Sequence, residues 1–270
     1  MNTGELKNVR AEALGINRKN IYKVSKQAVK DEQLKELIEK THDKHPAYGH
    51  LRMAWELGIN HKRTQRVMKK FGLKPPRRRR KYFCTRSTDH HTYTNLITGF
   101  VPTRPNQLWC SDVSFIKFQG RFWYLATIED IFTRQVVSAQ VSKFHNRWLV
   151  LTTVKQAIQN TGTVPTFFHT DQGTEFMAKI CTHFLEERGV QISVSKKASP
   201  WQNGFQESFF SQFKNEFGDV NRFETIGELI EEIYGKVHYY NYERRHTAFK
   251  VSPAVFAASF SDNGLPIWGT

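Results

Sequence analysis

A chain of 270 residues with 39% hydrophobic and 13% aromatic side chains has the makings of one or two globular domains, which excludes a disordered protein. It has no apolar run of the ~20 residues needed to cross a bilayer, and the opening MNTGELKNVRAEALG has no apolar signal region, so the expected location is the cytoplasm or the nucleoid. The net charge of +15 is segregated: residues 1–90 hold 23 Lys/Arg against 9 Asp/Glu and the remainder 17 against 16, a distribution that points to a polyanionic partner.

Residues 5–24 read as two short helices around a turn at Gly15, and 31–41 as a helix with Leu34, Leu37 and Ile38 at helical spacing. A helix is expected at about 49–57, closed by Gly58, and another at about 61–71, opened by Asn60. The second separates its faces. Val67, Met68 and Phe71 share one arc, while Lys62, Arg63, Arg66, Lys69 and Lys70 fill the opposite one. This is the requirement for a recognition helix in a helix-turn-helix, with an ordinary helical pair bearing a solvated basic face as the alternative. Pro75–Pro76 stops the helix, and Arg77, Arg78, Arg79, Arg80 and Lys81 follow in a stretch without acidic residues from Glu56 to Asp89, as in a linker lying along a phosphate backbone.

From about residue 105 the pattern becomes α/β. QLWCSDVSFIKF, RFWYLATIEDI and QVVSAQVS read as an antiparallel meander turning at Gln119–Gly120 and Phe132–Arg134. NRWLVLTTVKQAIQN is a helix, VPTFFHTDQG a strand ending in a loop, TEFMAKICTHFLEERGV a helix, QISVS a strand, SKKASPWQNG a loop and GFQESFFSQFKNEF a helix. The order gives a mixed sheet with helices on both sides.

Three carboxylates stand out by position. Asp112 sits within apolar WCSDVSFI, where an ion needs a partner. Asp171 closes a strand in HTDQGTEF, at the end where open α/β sheets place ligands. Glu207 opens the last helix. There Phe205, Phe209, Phe210, Phe213 and Phe217 form the packing arc, and Glu207 and Lys214 lie together along its margin. Three convergent carboxylates repel one another until a hard divalent cation, Mg²⁺ or Mn²⁺, relieves them. Two such ions can assist an in-line phosphoryl displacement without a protein nucleophile. Ser111 and Ser208 flank two of the acids but have no evident base. The three cysteines, Cys84, Cys110 and Cys181, have no spacing suited to a disulfide framework or a zinc site. His169 and Trp109 are expected to be structural.

These residues resemble the RNase H-like catalytic domain of DDE transposases and retroviral-type integrases. Thirty-five residues separate Asp171 from Glu207, the spacing of one large branch. More closely, YGHLRMAWELGINHKRTQRVMKKFGLKPP, LWCSDVSFI, HTDQGTEF, SPWQNGFQESFFSQFKNE and YNYERRHTAFKVSP resemble, in order over residues 48–253, the second-frame protein of insertion sequences with two overlapping reading frames. The resemblance implies a mixed five-stranded α/β sheet flanked by helices and preceded by a small all-α helix-turn-helix domain. It implies that Asp112, Asp171 and Glu207 hold two Mg²⁺ or Mn²⁺ ions, that Lys214 contacts DNA near the cut, and that Asn203, at a family position in the loop before the acidic helix, binds DNA. Lys62, Arg63, Arg66, Lys70, Arg77–Lys81, Lys196 and Lys197 would hold flanking DNA. Tyr240, Asn241, Arg244 and His246 match a C-terminal signature, read equally well as a structural helix end.

The expected layout is a helical DNA-binding domain at 1–75, a basic linker at 76–104, the catalytic domain at 105–218 and a helical extension at 219–270. The expected partners are double-stranded DNA (terminal repeats and target), further copies of the chain, and the upstream-frame protein. A nuclease of the same fold, or a DNA-binding protein that has lost catalysis, are the rivals. A retroviral-type integrase would need an N-terminal zinc module that this sequence does not carry.

Overall fold

The computed structural model describes residues 11–13, 15, 25–76, 93–195 and 204–260. Chain contacts divide the protein into two compact units, Met1–Pro75 and Pro76–Thr270.

In the first unit residues 11–13 are helical and Gly15 turns with φ +60°. Three further helices follow: α1 (Lys26–Lys44), α2 (His50–Leu57) and α3 (His61–Lys70). Leu34, Ile38, Tyr48, Met53, Val67 and Met68 form their shared core, whereas Leu37 is exposed. The α2–α3 turn forms as its residues dictate. Gly58 adopts φ +64°, the left-handed conformation that ends a helix, and the Asn60 side chain accepts from Lys62 N.

The second unit is built on a five-stranded sheet of order β3-β2-β1-β4-β5. Its elements are β1 (Leu108–Phe118), β2 (Arg121–Asp130), β3 (Val136–Ser142), α4 (Arg147–Thr161), β4 (Phe167–Thr170), α5 (Lys179–Glu186), β5 (Gln191–Val194), α6 (Gly204–Phe217), α7 (Ile226–Tyr242) and α8 (Pro253–Ala257). The first three strands pair antiparallel; β4 and β5 join parallel to β1. The β1–β2 turn places Gln119 at φ +46° and Gly120 at φ +77°, the pairing that suits the twist of a two-residue hairpin. Two apolar layers cover the sheet. On one side Trp109, Val113 and Ala126 pack with Leu149, Val154 and Leu185. On the other Ile116, Phe118 and Leu125 pack with Phe209, Phe213, Ile233 and Tyr240, so α7 shares the α6 core.

Three expectations are corrected. The helix expected over 174–190 is α5, beginning only at Lys179, because the chain first turns at Gly173: Phe176 N and Met177 N both donate to its carbonyl. Phe205 does not join the packing face of α6; it is 38% exposed, and the Arg134 guanidinium lies 3.9 Å from its ring centroid. Phe115 does not flank Asp112 as buried bulk; it is 46% exposed.

Candidate active site

The site is assembled where β1 and β4 run side by side. Asp112 shares its strand face with Ile116 and Phe118, which pack against α6. Its Oδ1 accepts from Val113 N at 2.7 Å. Burial, and then the negative charge of Asp171, push the Asp112 carboxyl up to about 7, against the lowering effects of the Val113 N–H and the Lys214 charge. Asp171 follows directly on β4. Desolvation at the strand end and the Glu175 charge raise its carboxyl, while the Gly173 N–H, which donates to Oδ1 at 2.9 Å, and His145 lower it.

Glu175 and His145 were not singled out in the sequence. His145 Nε2 lies 2.7 Å from Glu175 Oε1, beside Asp171. A side chain at Gly173 would meet Glu175 Oε1 at 2.8 Å and Asp171 Oδ1 at 3.0 Å, so the absent Cβ leaves room for the two carboxylates in this arrangement. The available signal was the four-residue step Asp-x-Gly-x-Glu; the partner His145 lies in a separate loop, invisible to local spacing.

Glu207 stands exposed in the first turn of α6. The residue before it is fully buried: Gln206 Nε2 donates to Cys110 O at 2.7 Å, and its Oε1 accepts from Thr127 Oγ1 at 3.0 Å. This clasp ties the start of α6 to β1 two residues from Asp112. Sequence reasoning missed Gln206 because a polar side chain one place from a charged one looks solvent-facing. Among the described residues no three His, Cys, Asp or Glu side chains already form a metal-holding group. The structure brings Asp112, Asp171 and the charge of Lys214 together, with Glu207 on the neighbouring helix. The donors fit a hard divalent cation. They are carboxylate oxygens, and Asp112 and Asp171 are raised first by burial and then by the charge of a neighbouring carboxylate, both of which a bound cation would offset.

Other residues resolve as structure. His169 is buried with Nδ1 2.9 Å from Ser193 Oγ, and Trp109 Nε1 donates to Asn106 Oδ1. Ser111 Oγ donates to Thr127 O, and Ser208 Oγ accepts from Gln212 Nε2. Asn241 accepts from Val136 N and donates to Val136 O, completing the start of β3 as another strand would. Arg244, 1% exposed, donates to Glu216 at 2.6 Å and to Gln212. Tyr240 packs edge-on against Phe209. On α3, Lys62 and Arg63 are exposed. Arg66 and Lys70 instead reach buried Asp31: both guanidinium nitrogens of Arg66 and Lys70 Nζ donate to its carboxylate, which they hold well below the usual range. Arg77, Arg78, Arg79, Arg80, Lys81, Lys196, Lys197 and Asn203 lie outside the described residues.

A mixed five-stranded sheet flanked by helices, with an acidic helix start clasped to its central strand, is an architecture of the integrase-core class. The comparisons agree. Residues 102–200 and 188–253 match integrase core domain families, and residues 29–81 match an HTH-like domain. The transposase for insertion sequence element IS904 of Lactococcus lactis is 33% identical over 233 residues, which cover 83% of this chain and 92% of that protein. The putative transposase InsK for IS150 of Escherichia coli K12 is 30% identical over 218 residues, 78% of this chain and 77% of that one. A chain of the simian T-cell lymphotropic virus intasome, solved by cryo-EM with PP2A regulatory subunit B56 gamma, shares the fold: TM-score 0.54 at 15% identity, over 86% of this chain and 76% of that one. The chain belongs to the DDE transposases of bacterial insertion sequences.

Proposed function

We propose that this transposase cuts DNA at the ends of its element and joins those ends to target DNA, using Asp112, Asp171 and Glu207 as ligands for two Mg²⁺ or Mn²⁺ ions. The observation that carries the reading is the charge coupling of Asp112 to Asp171 and to Lys214 across β1, β4 and α6. When bound, the ions would supply charge stabilisation at the attacking and leaving oxygens of an in-line displacement. Hydrolysis of one phosphodiester would free a 3′-OH, and that hydroxyl would attack a second phosphodiester, joining the strands as a new 3′-hydroxyl leaves. Lys214 would steer the scissile phosphate, and the Gln206 clasp would hold Glu207 in register with Asp112.

In this reading residues 1–75 bind DNA, 76–104 link, 105–218 carry the chemistry and 219–270 extend the core; the described part of the linker, 93–104, lies against the sheet through Leu96 N to Ser193 Oγ and Val194 N to Thr94 O. Lys62 and Arg63 meet the DNA from α3, with Arg66 and Lys70 holding that helix to α1 and offering their remaining exposed surface. Arg77–Lys81, Lys196, Lys197 and Asn203 complete the backbone contacts. The working form is a multimer on double-stranded DNA at the nucleoid, together with the upstream-frame protein.

Glu207→Gln is the test. Mg²⁺-dependent strand joining should fall by roughly a thousandfold, as expected for losing several kcal/mol of transition-state stabilisation, while affinity for duplex DNA stays unchanged. A variant that joins strands at the wild-type rate removes Glu207 from the site. Hydrolysis without any joined product from the wild-type chain would make the protein a nuclease instead.

A further inference from the structure

Next to the loop that carries Asp171 and Glu175 lies a cluster of rings that the proposed chemistry does not use. Phe115 and Tyr124 face each other across the β1–β2 ladder, and Phe122 stands opposite Lys117 on the same sheet face. Phe115 lies edge-on to Phe122 at 6.4 Å and to Tyr124 at 5.6 Å, and His145 is stacked on Tyr124 at 4.9 Å. Tyr124 is partly packed on the core, but Phe115 and Phe122 are 46% and 54% exposed. Water-exposed rings held edge-to-face are an apolar surface with a cost, and the ring faces left open suit a partner that is itself a flat ring.

Two features decide what that partner is. The first is charge. From residue 113 to 128, and again from 131 to 170, there is no Asp or Glu, while Lys117, Arg121 and Lys143 flank the rings. Aromatic rings flanked by cations, with acidic Glu175 on the His145 side towards Asp171, match a single nucleic-acid strand: bases stack on the rings and phosphates run over the cations. An apolar protein surface would not call for the cations. The second is continuity. His145 belongs both to the ring cluster and, through Glu175, to the loop that carries Asp171. His145 thus connects the rings to the Asp171 loop, while Asp112 lies on the opposite face of β1; a strand resting on Phe115 and Phe122 reaches the carboxylates around the edge of β1, whose pairing with β4 ends at Cys110.

We propose that Phe115, Phe122, Tyr124 and His145 form a stacking platform for unpaired DNA bases next to the scissile phosphate. This rests on the reading of Asp112, Asp171 and Glu207 as the reaction centre. An aromatic platform accepts every base, so it contributes affinity for frayed or single-stranded ends without reading sequence.

The test uses the full chain in metal-free buffer, so no chemistry intervenes, and a duplex with a single-stranded extension carrying 2-aminopurine. Stacking quenches the 2-aminopurine fluorescence when the wild-type chain binds. The Phe115→Ala/Phe122→Ala variant should lose the quench and bind the extended duplex roughly tenfold more weakly, while a blunt duplex binds as before. Phe115→Trp should keep the quench, and Phe115→Leu, which preserves apolar bulk without a ring, should lose much of it even if the double variant proves unstable. Undiminished quenching in Phe115→Leu and the alanine variant overturns the platform, as does a change of oligomeric state on light scattering with DNA binding intact, which would mean that a second copy covers these rings. Loss of the platform alone leaves the Glu207→Gln result standing, so the two readings fail separately.

Discussion

Glu129 is a carboxyl that the proposed reaction does not employ, and its surroundings make it a measurable liability. It is 2% exposed on β2, and among the described residues its Oε2 meets no hydrogen-bond donor. Burial pushes it up to about 8, against the opposing charge of Arg134, with Asp130 adding to the rise. A raised carboxyl is protonated in both folded and unfolded chains below its ordinary value of 4.5, so nothing is lost there. Above 4.5 the unfolded chain releases the proton while the folded chain keeps it, so stability falls with rising pH until about 8. The slope attributable to this one group is about 1 kcal/mol per pH unit. Glu129→Gln should flatten the profile and be the more stable protein at pH 8. Denaturant unfolding of both chains from pH 5 to 9 checks it, and parallel profiles would show that Glu129 is ionised in the fold. Asp130, its neighbour, differs because Thr133 Oγ1 and three backbone N–H groups donate to its carboxylate.

At the level of elements, the start of α6 is fixed along the sheet by the Gln206 side chain. Its phenylalanines give it an apolar face, and apolar burial is non-directional, so packing alone tolerates a slide along the sheet. The Gln206 bonds to Cys110 O and Thr127 Oγ1 do not. Gln206→Leu keeps bulk but leaves both strand groups unsatisfied, a cost of about 1–3 kcal/mol. We expect it to reduce joining about tenfold at fixed Mg²⁺ and to raise the Mg²⁺ concentration needed for half-maximal rate. A lower melting temperature with unchanged Mg²⁺ dependence would mark Gln206 as a fold residue only. Asn241 plays a comparable part for α7, bonding both polar groups of Val136. A matched C-terminal motif therefore has a structural account in this chain, together with buried Arg244 on Glu216.

Across the whole molecule, charge is divided between recognition and structure. On α3, Arg66 and Lys70 neutralise buried Asp31, which leaves Lys62 and Arg63 as the exposed cations of its first turn. If those two each neutralise a phosphate, Lys62→Ala/Arg63→Ala should shallow the slope of log affinity against log salt by about 2. A binding titration on duplex DNA between low and physiological salt reads that slope directly, and an unaltered slope would take α3 off the DNA. Such contacts position the protein without specifying sequence. The stacking platform adds a share of affinity carried by rings, beside the salt-dependent share that Lys117, Arg121 and Lys143 supply.

Local pattern was enough to locate Asp112 inside a strand, Asp171 at a strand end and Glu207 at a helix start, and to mark the turns at Gly58 and Gln119–Gly120. Each follows from forces acting within a few residues: side-chain periodicity, capping and the conformations open to glycine. The Glu175–His145 pair, the Gln206 clasp, the diversion of Arg66 and Lys70 to Asp31 and the exposure of Phe115 were decided by tertiary structure. Partners in these contacts lie 30, 96, 35 and 39 residues apart in the chain. A one-dimensional pattern shows which residues can be buried or charged, but only the folded sheet shows which of them meet.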